Sequence, residues 1–169
     1  MTVSFFTFGC KVNTAETQNL KWSFENNGFS VILGESADVF IINTCTVTHV
    51  AVRKCRNILR RLRRENPHSV ILMAGCMPQT EKAAENLGEA DIILGNSEKP
   101  HALSYVLEFL KNGKRIYAVS DIFQEEKFKP LEISRFDESF QRAYLKIEDG
   151  CDCFCAYCAI GFARGRVRS

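Results

Sequence analysis

Residues 37–45 read ADVFIINTC, and four consecutive positions, Val39, Phe40, Ile41 and Ile42, are large and apolar. A strand with one wet face alternates polar and apolar residues. A run without alternation predicts a parallel strand covered on both faces. The neighbouring segments support that reading. VSFFTF (3–8), FSVIL (29–33), SVILMAGC (69–76), DIILG (91–95) and KRIYAVS (114–120) are further strand candidates. Helical patterns separate them: one from Asn13 through Leu20 and Phe24 to a stop at Gly28, then 48–65, ending before Pro67, then 79–87 and 98–111. Asn13 with Glu16 three residues later resembles a capping box. Strands alternating with helices predict an α/β fold, an open, mostly parallel sheet with flanking helices, over residues 1–120.

Residues 121–141 mix both charges with isolated aromatics and Pro130, which predicts a linker lying over a surface. AYLKIEDGC (143–151) reads as a strand running into a cysteine cluster, so residues 142–169 form the start of a second, truncated domain. Composition fits one full domain and part of another: 169 residues, 46% hydrophobic and 25% charged, with a net charge of +2. Such a balance gives no global field for nucleic acid, so local charge matters instead. The start, MTVSFFTFGCKVN, is not a signal peptide, and no stretch approaches the roughly 18 apolar residues of a membrane span. A cytoplasmic protein is expected. There, eight cysteines point to metal binding or catalysis rather than to disulfides.

Three of the predicted strands end in cysteine: FFTFGC at Cys10, FIINTC at Cys45 and ILMAGC at Cys76. In an open parallel sheet the turns after the strands line one edge, where ligands bind. Turns entering helix N-termini also favour thiolates. The bland alternative is three buried small hydrophobes, and a structural zinc site with His49 as fourth ligand is another. Cys55 shares a stripe with Ala51, Ile58 and Leu62 and is expected to pack in the core. Leu103, Val106, Leu107 and Leu110 form a second core stripe, and His68 and His101 suggest no role. In GCDCFCAYC (150–158), Cys151, Cys155 and Cys158 have the spacing C-x3-C-x2-C. Three thiolates on so compact a loop can hold a four-iron cluster and leave one iron open to a small molecule. Zinc remains an alternative, and Cys153 is left over.

Residues 53–64, RKCRNILRRLRR, carry seven basic residues and no acidic one. Arg53, Arg56, Arg60, Arg63 and Arg64 fall on the face opposite Cys55. They are candidate phosphate contacts or, equally, a solvated helix face.

The strings GCKVNTAET (9–17), INTCTVT (42–48), AGCMPQ (74–79), GNSEK (95–99) and GCDCFCAYCAIGFARGRVRS (150–169) together resemble the radical S-adenosylmethionine methylthiotransferase family. They are most similar to its branch that methylthiolates N6-threonylcarbamoyladenosine beside the tRNA anticodon. The resemblance covers essentially the whole chain. It implies the family's N-terminal α/β domain, followed by the first part of a truncated radical (β/α) barrel. It implies two [4Fe-4S] clusters: an auxiliary one on Cys10, Cys45 and Cys76, and a radical one on Cys151, Cys155 and Cys158. The open iron of the second would bind S-adenosylmethionine, with Tyr157 beside it. It also implies a tRNA substrate, an electron-donor protein and a monomeric state. These 169 residues alone are expected to be inactive. Two rival classes are a non-catalytic iron–sulfur or zinc module that engages RNA or a partner, and a nucleotide-binding α/β domain. The second lacks a phosphate-binding glycine loop after its first strand.

Overall fold

The computed structural model describes residues 1–80, 88–131 and 143–169. Six strands form one open sheet: β1 (Thr2–Thr7), β2 (Ser30–Ile32), β3 (Val39–Thr44), β4 (Val70–Gly75), β5 (Ile92–Leu94) and β6 (Ile116–Ala118). Their order is β2-β1-β3-β4-β5-β6 and every pairing is parallel. The α/β class and the parallel sheet therefore stand as read. Every residue of β3 and of β4 is buried, the expected result for strands covered on both faces.

Helices cover both sides. α1 (Lys11–Asn26) and α4 (Ala102–Asn112) pack one face, where Leu20, Phe24, Ala102 and Val106 meet Val39, Ile41, Leu72 and Ile92. α2 (His49–Glu65) packs the other, where Cys55, Ile58, Leu59 and Leu62 meet Phe40, Ile42, Ile71 and Met73. Successive residues of β3 thus supply opposite cores. Right-handed crossovers explain the arrangement. The chain leaves β1 toward β2 through α1 and leaves β3 toward β4 through α2, in opposite directions, so the two helices lie on opposite faces. Cys55 is 1% exposed and belongs to the core, as expected.

Three local readings change. Asn13 does not begin α1: Cys10 is the N-cap, and the Asn13 side chain is drawn away into the sheet edge. On α4 the buried side runs through Ala102 and Val106, with Leu103, Tyr105 and Phe109 packed against it, while Leu107 and Leu110 are about two-fifths exposed. The helix presents the Ala102–Val106–Phe109 line to the sheet, which turns Leu107 and Leu110 outward. Residues 143–148 form no strand: among the described residues the segment's ladder contact is a single bridge made just after them, Asp149 to Arg168. The helix expected over 79–87 is described only to Thr80, as part of a short helix α3 (Cys76–Thr80), and the rest lies outside the described residues. The same holds for 132–141 of the expected linker. Its described part is tied down: Ile122, in a 3-10 turn over Ile122–Gln124, is 3% exposed. No described helix is long and apolar enough to cross a membrane.

Candidate metal centre at the sheet edge

The strand order reverses direction between β1 and β3, and the crevice above such a switch point is where open α/β sheets bind ligands. Cys10 follows β1 and Cys45 follows β3, so these two flank it. Cys76 follows β4, the next strand over, and begins α3. Neighbouring strands stand about 4.8 Å apart, so the three strand ends lie side by side. Two glycines permit the approach. Gly9 has φ +101°, and a Cβ there would lie 2.5 Å from Cys45 Cβ and 2.6 Å from Cys45 Sγ. Gly75 has φ +110°, and a Cβ there would lie 2.9 Å from Thr44 O. Only glycine lets the turns before Cys10 and Cys76 close against the end of β3.

Cys45 and Cys76 are buried and Cys10 is exposed. Burial pushes the Cys45 thiol up; the Val47 N–H donating to its sulfur pulls it down, the nearby Cys76 and Cys10 thiols push it up again, and Arg164 draws it down. At Cys45 desolvation therefore outweighs the favourable turn, contrary to the sequence expectation of a ready thiolate. That pattern places the Cys10 and Cys76 sulfurs within electrostatic reach of Cys45. Among the described residues no group of three or more His, Cys, Asp or Glu side chains is tight enough to hold a metal ion. His49, the proposed fourth zinc ligand, lies exposed on α2. Three thiols on adjacent strand ends are the donor type that iron–sulfur clusters take.

The second set follows on the loop 151–158. Cys151, Cys155 and Cys158 are partly buried, and Cys153 is exposed, with its thiol pushed up by the neighbouring Cys151 and Cys155. Tyr157 is 92% exposed. Phe154, at φ +42°, folds its ring against Phe123 and Phe162 and over Gly161. After the loop comes a short helix, α5 (Ile160–Arg164), which packs on α3.

A buried charge network joins this tail to the sheet edge. The Glu16 carboxylate, 7% exposed, accepts from Lys99, Lys146 and Arg164. Asp149 accepts from Lys146 and Arg164. Burial pushes both carboxyls up, but the neighbouring cations prevail and hold them below their ordinary ranges, Glu16 well below. Asn96 Nδ2 donates to Ala163 O (2.7 Å) and reaches Cys76 Sγ (3.6 Å). Sequence reasoning gave no role to Asn13, Glu16, Asn96, Lys99 or Arg164 at this edge, although all five lie inside the motif strings quoted above.

The arginines of α2 divide. Arg63 is a strut: it donates to Glu89 O, Pro67 O and Ser69 O and pairs with Asp91 at 2.6 Å. Arg60 reaches Glu89 at 3.4 Å and Arg64 its neighbour Glu65, with side chains 64% and 75% exposed. Arg53 is exposed and Arg56 half-buried. For Arg60 and Arg63 the compensating acids, Glu89 and Asp91, come from the segment before β5, which the local sequence could not reveal.

An α/β domain with three cysteines on adjacent strand ends, followed by a second cysteine loop, defines a class of protein. Residues 2–95, more than half of the chain, match Uncharacterized protein family UPF0004, and the chain belongs to that family. It is 36% identical over 171 residues to the threonylcarbamoyladenosine tRNA methylthiotransferase MtaB of Aquifex aeolicus, covering 100% of this chain and 42% of the relative. It is 38% identical over 170 residues to the MtaB of Bacillus subtilis (99% and 38%). It is 34% identical over 171 residues to a tRNA-2-methylthio-N(6)-dimethylallyladenosine synthase of Carboxydothermus hydrogenoformans (96% and 38%). The kinship with methylthiotransferases expected from the motifs is that of these relatives. The chain spans 38–42% of their length. Among solved structures, the isolated REC domain of RcsB from Salmonella enterica serovar Typhimurium aligns with a TM-score of 0.45 and 15% identity, over 69% of this chain and 91% of that one, too slight a likeness to carry weight.

Proposed function

We propose that this chain is the cluster-bearing N-terminal part of a tRNA methylthiotransferase acting on N6-threonylcarbamoyladenosine beside the anticodon. The observation that carries the reading is the convergence of Cys10, Cys45 and Cys76 on three adjacent strand ends at the switch point. A tail bearing Cys151, Cys155 and Cys158 docks beside them. Each set would hold one [4Fe-4S] cluster. When bound, the clusters and S-adenosylmethionine supply the electron, the sulfur and the methyl group that the reaction requires. The chain's own residues bind and orient. Asn13 ties the β1 and β3 ends together, Asn96 reaches the Cys76 sulfur, and Tyr157 directly precedes Cys158. Catalysis also needs an electron-donor protein. The working protein is a cytoplasmic monomer.

Iron and acid-labile sulfide after anaerobic reconstitution test this. Two four-iron clusters give about eight irons per chain, falling to about four in Cys10→Ala/Cys45→Ala/Cys76→Ala. Zinc without sulfide would refute the reading.

The exposed arginines of α2 are proposed phosphate contacts. Arg53→Ala/Arg60→Ala/Arg64→Ala is expected to weaken tRNA binding and to flatten the slope of log K against log salt by roughly 2–3, about 0.9 for each phosphate no longer neutralised. Arg56 adds a further, half-buried contact. Arg63→Ala is expected to lower the melting temperature instead, because its bonds pin the loops before β4 and β5. Filter binding between 50 and 200 mM salt, with thermal melts, separates the two roles. An unchanged slope in the triple variant would remove the arginine face from the interface.

A further inference from the structure

The two cysteine sets are 75 residues apart in sequence, from Cys76 to Cys151, yet one side chain touches the scaffold of both. Arg164 lies six residues after Cys158 and is 6% exposed. Its guanidinium donates to Glu16 (3.0 and 3.1 Å), to Asp149 (2.9 Å) and to Asn13 Oδ1 (2.7 Å). Asn13 is fully buried. Its other amide atom, Nδ2, donates to Phe8 O (2.7 Å) and Thr44 O (2.9 Å). Those carbonyls stand just before Gly9-Cys10 and Cys45.

An asparagine amide fits its pocket in either of two orientations, and its partners decide which. Guanidinium is a donor only and the two strand-end carbonyls are acceptors only, so both sides fix the same orientation, with the oxygen on Arg164 and the nitrogen on the carbonyls. Arg164 therefore acts on Cys10 and Cys45 through Asn13. The third strand end is held from the same turn, since Ala163 O accepts from the Asn96 amide that reaches Cys76 Sγ. The last turn of α5 is thus bonded, directly or through one side chain, to the ends of β1, β3 and β4.

We propose that Arg164 is the positioning residue of the first cysteine set, the clamp by which the tail carrying the second set holds Cys10, Cys45 and Cys76 in register. The inference deepens the proposed function, and its second test rests on that reading.

The first test needs no metal. In the reduced, iron-free 169-residue chain, iodoacetamide labelling followed by mass spectrometry reads the accessibility of each cysteine. Arg164→Met is expected to speed labelling of Cys45 and Cys76 by about 10–100-fold, the weight of one missing charge-assisted hydrogen bond. Cys55, in the core on the α2 face, keeps its wild-type protection. Arg164→Lys, which retains the charge and loses the fork, falls between. Unchanged rates at Cys45 and Cys76 would overturn the clamp, and so would a rise at Cys55 in step with them, which is plain unfolding. If Arg164→Met does not fold, Arg164→Lys decides by the same comparison.

The second test reads the midpoint potential of the first cluster by redox titration in a Cys151→Ala/Cys155→Ala/Cys158→Ala background. Reduction adds negative charge, so losing the nearby cation in Arg164→Gln shifts the potential to more negative values, and Arg164→Lys restores part of it. An unmoved potential counts against the clamp. Absence of iron in the parent of that background refutes the cluster reading and leaves the labelling result to judge Arg164 alone.

Discussion

Glu16→Ala is expected to destabilise the protein by about 3–5 kcal/mol, the range for removing one partner from a buried ion pair. The carboxylate stands among Lys99, Lys146 and Arg164, whose side chains are 3%, 7% and 7% exposed. Without it, Lys99, Lys146 and Arg164 share the pocket with Asp149, which Arg168 also approaches at 3.8 Å, as their carboxylate among the described residues. A chain of this size loses about 2–4 °C per kcal/mol, so the melting temperature falls by about 6–20 °C. Glu16→Gln keeps the shape and loses the charge, and lies between. The stabilisation also depends on pH with a definite sign. Burial pushes the Glu16 carboxyl up, but Lys99, Arg164 and Lys146 outweigh it and hold it well below the ordinary 4.5. The unfolded chain therefore binds a proton first as pH falls. The Glu16 contribution is fully present above about pH 4.5 and drains away as pH drops toward the lower folded value. Asp149 acts in the same direction. Urea melts at pH 7, 5, 4 and 3 are expected to show wild type losing stability over this range more steeply than Glu16→Gln. Parallel curves would mean that the network contributes no charge-dependent stability.

Gly9→Val is expected to cost roughly 2–6 kcal/mol and, more tellingly, to empty the cluster site proposed for Cys10, Cys45 and Cys76. The backbone conformation at φ +101° contributes about 1–3 kcal/mol of strain with a branched side chain. Overpacking against Cys45 contributes about as much again. The new Cβ would overlap Cys45 Cβ and Sγ, so the strain relaxes by pushing Cys45 off the strand end. Reconstituted protein is expected to retain about four irons, those of Cys151, Cys155 and Cys158, rather than about eight. Full iron content with lowered stability would show that Cys45 tolerates the displacement.

Much of this architecture was legible in the chain. Val39–Ile42 announced a strand covered on both faces, and Cys55 with Ile58 and Leu62 announced the buried side of α2. Three cysteines at strand ends announced one edge. What could not be read was set by long-range partners. Asn13 and Glu16 fit a local capping pattern, but Phe8, Thr44 and Arg164 claim them instead, and Arg164 is 148 residues from Glu16. Arg63 belongs to a run that looks solvated until Asp91 arrives from the loop just before β5. Residues 143–148 have a strand-like composition, but composition cannot supply a ladder neighbour. Lys146 turns inward to Glu16 and Asp149 instead. Leu107 and Leu110 have core character and face outward, because the helix packs through smaller Ala102 and Val106.

The span between Glu16 and Arg164 has a consequence during synthesis. The ribosome delivers the amino end first, and an N-terminal unit folds while the rest is still being made. The 65 residues between Lys99 and Arg164 take about 3–13 s to add at about 5–20 residues per second. For that interval Lys99 can already pair with Glu16, while Asn13 Oδ1 has no guanidinium to meet and the strand ends bearing Cys10, Cys45 and Cys76 stand open. The bonds from the last turn of α5 to those strand ends are thus made late, after the sheet and its flanking helices have left the exit tunnel.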